Sequence, residues 1–103
     1  MKVILISILV FSSTQVFSQV YVPERVNPKA VKNYEKALDL LQDGQLNEAV
    51  PVLLQSIKED SNFVDAYLSL AGALGQLKRY DQSVKLYEKA RDKDTSYFLL
   101  YNL

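Results

Sequence analysis

From Pro28 to Asp94 apolar side chains recur at steps of three and four residues, the spacing that places them on one face of a helix. The first such stretch, "KAVKNYEKALDLLQD", repeats them at Val31, Tyr34, Leu38 and Leu41. Asn27 and Pro28 precede it. Asn offers a side-chain N-cap, and Pro fits the first helical position, where its missing N–H would have had no partner. Gly44 marks the end. Three more amphipathic stretches follow, "LNEAVPVLLQSIKED", "VDAYLSLAGALGQLK" and "YDQSVKLYEKARDKD". Turns of only a few residues separate them, so each helix is predicted to run antiparallel to the next. The fold expected is all-α, a tandem of antiparallel helical hairpins.

The hairpins repeat. Sliding the chain by 34 positions, without a gap, places Ala37 on Ala71, Leu40 on Leu74, Gln42 on Gln76, Val50 on Val84 and Asp60 on Asp94. The same shift pairs Leu46 with Tyr80, Leu53 with Tyr87, Ser56 with Ala90 and Phe63 with Tyr97. Ala71, Ser83 and Ala90 are small, which lets two helix backbones approach. Tyr67, Tyr80 and Tyr87 are expected to fill the space between hairpins, with Tyr87 between the helices of its own. Pro51 fits poorly, because beyond the first turn it removes a backbone hydrogen bond at a cost of about 3 kcal/mol. A late helix start, with Asn47 as N-cap, or a bend is therefore expected there.

A helical hairpin of this period resembles the tetratricopeptide repeat. In the second copy Tyr67, Leu70, Ala71, Leu74, Tyr80, Ser83, Tyr87, Ala90 and Thr95 stand where that family's pattern has an aromatic, Leu, a small residue, a large one, an aromatic, Ala, an aromatic, Ala and Pro. The first copy matches less well: Asn33 replaces the aromatic and Lys36 the Leu, as suits a first repeat whose outer side has no neighbour. The resemblance implies an α-solenoid with repeats at 30–63 and 64–97. It also implies a concave groove lined by the first helix of each hairpin. Its ligand-facing positions map to Val31, Tyr34, Leu38, Leu41 and Gln42, then Asp65, Leu68, Gly72, Gly75 and Gln76. Members that clamp a chaperone's C-terminal carboxylate carry Lys and Asn where this chain has Tyr34 and Leu38, so that role is not implied. Amphipathic periodicity leaves two readings of the groove open: an exposed binding face, or apolar core covered by later repeats.

The ends differ from the middle. Residues 1–18 have the layout of a secretory signal peptide: Lys2, an apolar run over 3–11, a polar stretch, then Val16 and Ser18 before a cut expected ahead of Gln19. The alternative, an uncleaved anchor, needs about 20 apolar residues to span a bilayer, and this run is much shorter. Residues 19–29 read as linker and helix cap. The final "YFLLYNL" carries no charge. Continuing the register makes 98–103 the first positions of a third repeat, broken off, with Tyr101 in the place of Tyr67. This leaves Val84 and Leu86 as expected exposed apolar surface on the last complete helix. The other reading is a complete chain whose last turn docks back on that helix.

Composition narrows the chemistry. There is no Cys and no His, which removes thiolate and imidazole catalysis, and Ser or Thr has no conventional activating base. Twelve Lys and Arg balance twelve Asp and Glu, so no field favours nucleic acid or an anionic membrane. Gly72 and Gly75 lack the Lys and Ser/Thr of a phosphate loop; close packing or room for a bound peptide suits them better. No cofactor or metal is expected. The function expected is a non-enzymatic scaffold binding a protein or peptide partner. The leader running into "NPKAVKNYEKAL" resembles the start of envelope proteins of the Bacteroidetes group. In these, such repeats precede a beta-propeller and an OmpA-like domain. The resemblance implies export to the periplasm or outer membrane, with envelope association through domains this sequence does not contain. The alternative is a substrate-recruiting module of a larger secreted or envelope enzyme.

Overall fold

The computed structural model describes residues 25–94, which form four helices: α1 (Pro28–Gln42), α2 (Leu46–Glu59), α3 (Val64–Gln76) and α4 (Tyr80–Lys93). The expected leader, most of the linker and the expected third-repeat positions 98–103 lie outside the described residues. Each helix packs on its neighbour in sequence, giving two hairpins, α1–α2 and α3–α4, joined through α2 and α3.

The turn inside each hairpin is built the same way. After α1, the Gly44 N–H bonds the Leu41 carbonyl at 3.1 Å and the Gln45 N–H bonds that of Leu40 at 2.9 Å. After α3, the Lys78 N–H bonds the Gly75 carbonyl at 3.0 Å and the Arg79 N–H that of Leu74 at 2.8 Å. This pair of bonds satisfies the last carbonyls of a helix and requires a left-handed residue just past the C-cap. Gly44 takes φ 77° without strain, whereas Lys78, in the same place 34 residues later, takes φ 64° with a side chain.

Small residues set the spacing within each hairpin. Ala37 and Ala49 in the first hairpin are fully buried, as is Ala71 in the second, where Ser83 is 6 % exposed. Three apolar clusters form the core. Ala37, Leu53, Leu70 and Leu74 join the first hairpin to α3. Ala30, Phe63 and Ala66 close the α1–α3 side, and Val64, Tyr67 and Ala90 hold the second hairpin.

The start of α1 is as the sequence indicates: Asn27 Oδ1 accepts from the Lys29 N–H at 2.9 Å, with Pro28 at the first helical position. Asn27 is held in turn by Asp60, whose Oδ2 accepts the Asn27 N–H at 2.8 Å, so the cap of α1 is tied to the end of α2.

Three expectations are corrected. Helix α2 does not start late; Gln45 is its N-cap, Asn47 lies inside it, and Pro51 sits in the helix proper. There the ring leaves the Asn47 carbonyl without its N–H donor. Tyr80 and Tyr87 do not fill the space between hairpins but are 61 % and 42 % exposed, because none of the described residues covers the outer face of α4. Leu86 is half-buried, packed on the clusters around Leu74 and Tyr67, while Val84 is exposed as expected.

Two substitutions test these local costs. Lys78→Gly relieves the left-handed strain, less glycine's extra chain entropy, and is expected to stabilise the protein by about 0.5–1 kcal/mol. Pro51→Ala restores a helical hydrogen bond and is expected to add about 1–3 kcal/mol. Urea unfolding midpoints measure both; a Pro51→Ala variant no more stable than the parent would mean that the proline is accommodated without loss.

Candidate functional site

Tyr34 joins the two first helices. Its ring meets Phe63 edge-on, centroids 5.0 Å apart at 61°, and its hydroxyl accepts from Ser69 Oγ at 3.4 Å. An edge-to-face pair of this kind adds about 0.5–1.5 kcal/mol beyond the area it buries. The flanks of α1 and α3 therefore stand side by side. Ser69 is a member of this surface that the repeat pattern did not identify, since its position is not among the ligand-facing ones; the only signal was its counterpart 34 residues earlier, Glu35, also polar.

None of the ten expected groove residues lies in the buried core. Val31, Tyr34, Leu38, Leu41, Asp65, Leu68, Gly72 and Gly75 are half-buried, and Gln42 and Gln76 are exposed. Val31 and Tyr34 lean on the Ala30–Phe63–Ala66 cluster, Leu41 on Ala37 and its neighbours, and Leu68 on Val64 and Tyr67. Leu38 belongs to none of these clusters. Half-burial of so many apolar side chains gives a surface that is anchored beneath and open above. Asp65 is the one carboxylate among the ten, in the first turn of α3, where the helix dipole favours a negative charge.

The glycines are not demanded by close packing. A Cβ on Gly72 would stand 3.9 Å from the Tyr87 hydroxyl, and one on Gly75 would stand 3.5 Å from Ser83 Oγ, both ordinary contacts. In each case the atom met belongs to α4.

At the other end of α3, Tyr67 is 5 % exposed and donates from its hydroxyl to the Ser61 carbonyl at 2.8 Å. Burial, and secondarily the Asp60 carboxylate, pushes its pKa above the ordinary tyrosine value. Among the described residues no group of three or more acidic side chains is placed to hold a metal ion.

The two-hairpin architecture and its 34-residue internal match coincide with a comparison against family models, in which the tetratricopeptide repeat matches residues 40–102, more than half of the chain. The chain belongs to the tetratricopeptide repeat family. No curated protein and no solved structure matches it. Tetratricopeptide repeats generally mediate protein–protein interactions, binding protein or peptide partners.

Tyr67 supplies a pH test of the packing beside this surface. Its folded pKa is raised, so the folded protein keeps a proton that the unfolded chain gives up near its ordinary value of about 10. The stability this contributes is fully present below about pH 10 and is lost as pH rises from there through the folded pKa. Tyr67→Phe is expected to cost about 1 kcal/mol at neutral pH through the lost hydrogen bond, and to flatten the alkaline decline. Urea titrations from neutral to strongly alkaline pH check both; an equally steep decline in Tyr67→Phe would assign the effect to another group.

Proposed function

We propose that this chain is a protein-binding scaffold of the bacterial cell envelope, exported by its leader, whose binding face is the paired flank of α1 and α3. The observation that carries the reading is the half-buried, almost uncharged surface running from Val31, Tyr34, Leu38 and Leu41 to Leu68, Gly72 and Gly75. Apolar side chains fixed from below and open from above give a partner area to bury without first ordering loose groups. With one carboxylate among ten positions, selection falls on shape and apolar contact, so the partner expected is a peptide or domain surface with apolar anchors. The even balance of acidic and basic residues gives no attraction for nucleic acid. Envelope placement rests on the signal-peptide layout of residues 1–18 and on the Bacteroidetes-like opening of the mature sequence.

Peptides selected on the immobilised protein from a displayed library are expected to carry apolar anchors. Leu38→Lys is expected to weaken them about tenfold, or about 1.4 kcal/mol, with the thermal midpoint little changed. Lys85→Leu, on the exposed side of α4, serves as the control and should bind as the parent does. Equal binding by Leu38→Lys and parent would remove this face as the site. Export is checked separately by the N-terminus of protein from the native host: Gln19 in envelope fractions is expected, and an intact Met1 in the cytosol would overturn it.

A further inference from the structure

We propose that the outer face of α1 is a docking surface for an acidic segment of a partner protein, held along the row Lys29, Lys32 and Lys36. The three lysines follow one another at steps of three and four residues, which sets them on one face of the helix, and all three are exposed. From first to last the row runs about 10 Å, or about two turns, along the helix axis. Among the described residues none of the three takes part in an ion pair.

The second hairpin uses the same register differently. Phe63, Ala66 and Leu70 stand 34 residues after the three lysines and are buried on α3, as is Tyr67, the counterpart of Asn33. On α1 each of these positions is polar. Asn33 lies beside the row and donates to Glu59 Oε1, which also accepts from Gln55, so that carboxylate is held by amides and not by a lysine.

A face that only has to meet water does not call for this pattern. Lys29 and Lys32, and again Lys32 and Lys36, are like-charge neighbours on a helix, and both pairs work against its stability. Lys29 also stands in the first turn, where the dipole disfavours a cation; α2, α3 and α4 have an acidic residue there instead, Glu48, Asp65 and Asp81. Carboxylates laid along the row offset both penalties at once.

The same face limits what can sit on it. Asp39 and Asp43, both exposed, continue it toward the C-terminal end, so the positive stretch stops in negative charge. An anionic membrane would meet the aspartates as well as the lysines, and α1 has no exposed large apolar side chain to insert into it. A short acidic segment covers the lysines and stops before the aspartates. The row shares no residue with the groove proposed above, so either site can fail without the other.

A fluorescent peptide of ten glutamates is the probe, titrated with the full chain at low ionic strength, where exposed charges are least screened. Binding that weakens as salt is added is expected. Replacing Lys29, Lys32 and Lys36 together by Gln is expected to weaken it at least about tenfold. Replacing Arg79, Lys85 and Lys89 by Gln removes the same charge from exposed positions around α4 and should leave binding near that of the parent. The thermal midpoint of the α1 variant is expected at or above the parent's, because like-charge and dipole penalties are relieved. Equal losses in the two triple variants would reduce the effect to net charge and overturn the proposal, as would a parent that does not bind the peptide. A lowered midpoint in the α1 variant would assign the lysines to the fold instead. Phosphatidylglycerol vesicles that bind the parent more tightly than the peptide does, and release the α1 variant, would assign the face to a membrane and equally overturn it.

Discussion

Everything in this molecule depends on how closely two helix backbones approach inside a hairpin, and that distance is set by a few small side chains, Ala and Ser with a single Val. Each hairpin has two such contacts along its length. At the middle one the first hairpin has Ala37 and Ala49, and the second has Ala71 and Ser83; at the outer one the first has Ala30 and Ser56, and the second has Val64 and Ala90. Each hairpin thus uses one serine, at a different contact. In both cases the hydroxyl, buried between helices, donates to a carbonyl of the facing helix: Ser56 Oγ to Ala30 and Ser83 Oγ to Ala71, each at 2.7 Å. A helical carbonyl has a second lone pair to offer, so the serine is satisfied without disturbing the helix, and close approach and polar satisfaction are met together.

Once the hairpins are narrow, their joining depends on the residues between them. Asp60 closes α2 with an extended backbone; its Oδ1 accepts the Asn62 N–H at 3.0 Å and its Oδ2 that of Asn27, so one carboxylate shapes the linker and ties it to the start of the first helix. Nearby, Asn33 donates to Glu59 Oε1 at 2.8 Å. Asn33 is the residue that stands where the repeat pattern has an aromatic. Among the described residues no hairpin precedes this helix, so an aromatic there would find nothing among them to bury against, and a side chain that hydrogen-bonds back to α2 meets water at less cost.

The helices, their order and the hairpin pairing were legible because they rest on periodicity and on a 34-residue self-match, signals that survive single substitutions. What was not legible depended on which neighbour is present. Tyr87 and Leu53 are equivalent in sequence, yet one is exposed and the other buried, since burial belongs to the junction and not to the residue. The late start that Pro51 suggests fails for another reason. Its conflict with the helix is local, whereas the buried Ala49, Leu53 and Ser56 on the opposite side of α2 fix the helix through that point. Lys78 carries no turn signal at all, although it occupies the left-handed position that Gly44 announces plainly; the flanking hydrogen bonds impose it. For the groove, the repeat pattern picked out the half-buried flank of α1 and α3 but passed over Ser69, which is tied to that flank through Tyr34.

The same comparison bears on Gly72 and Gly75. A glycine inside a helix costs about 1 kcal/mol relative to alanine, and α3 is otherwise rich in Ala and Leu. Were the glycines there to let α4 approach, a Cβ would collide with it; instead it would find ordinary contacts at 3.9 and 3.5 Å. The hairpin spacing is already fixed by Ala71 and Ser83, so the glycines are not what holds the fold. Their counterparts on α1, Leu38 and Leu41, are full-sized, so the first helices of the two hairpins differ in bulk at these two register positions. The helix propensity that α3 loses at these two positions is therefore not a consequence of hairpin packing.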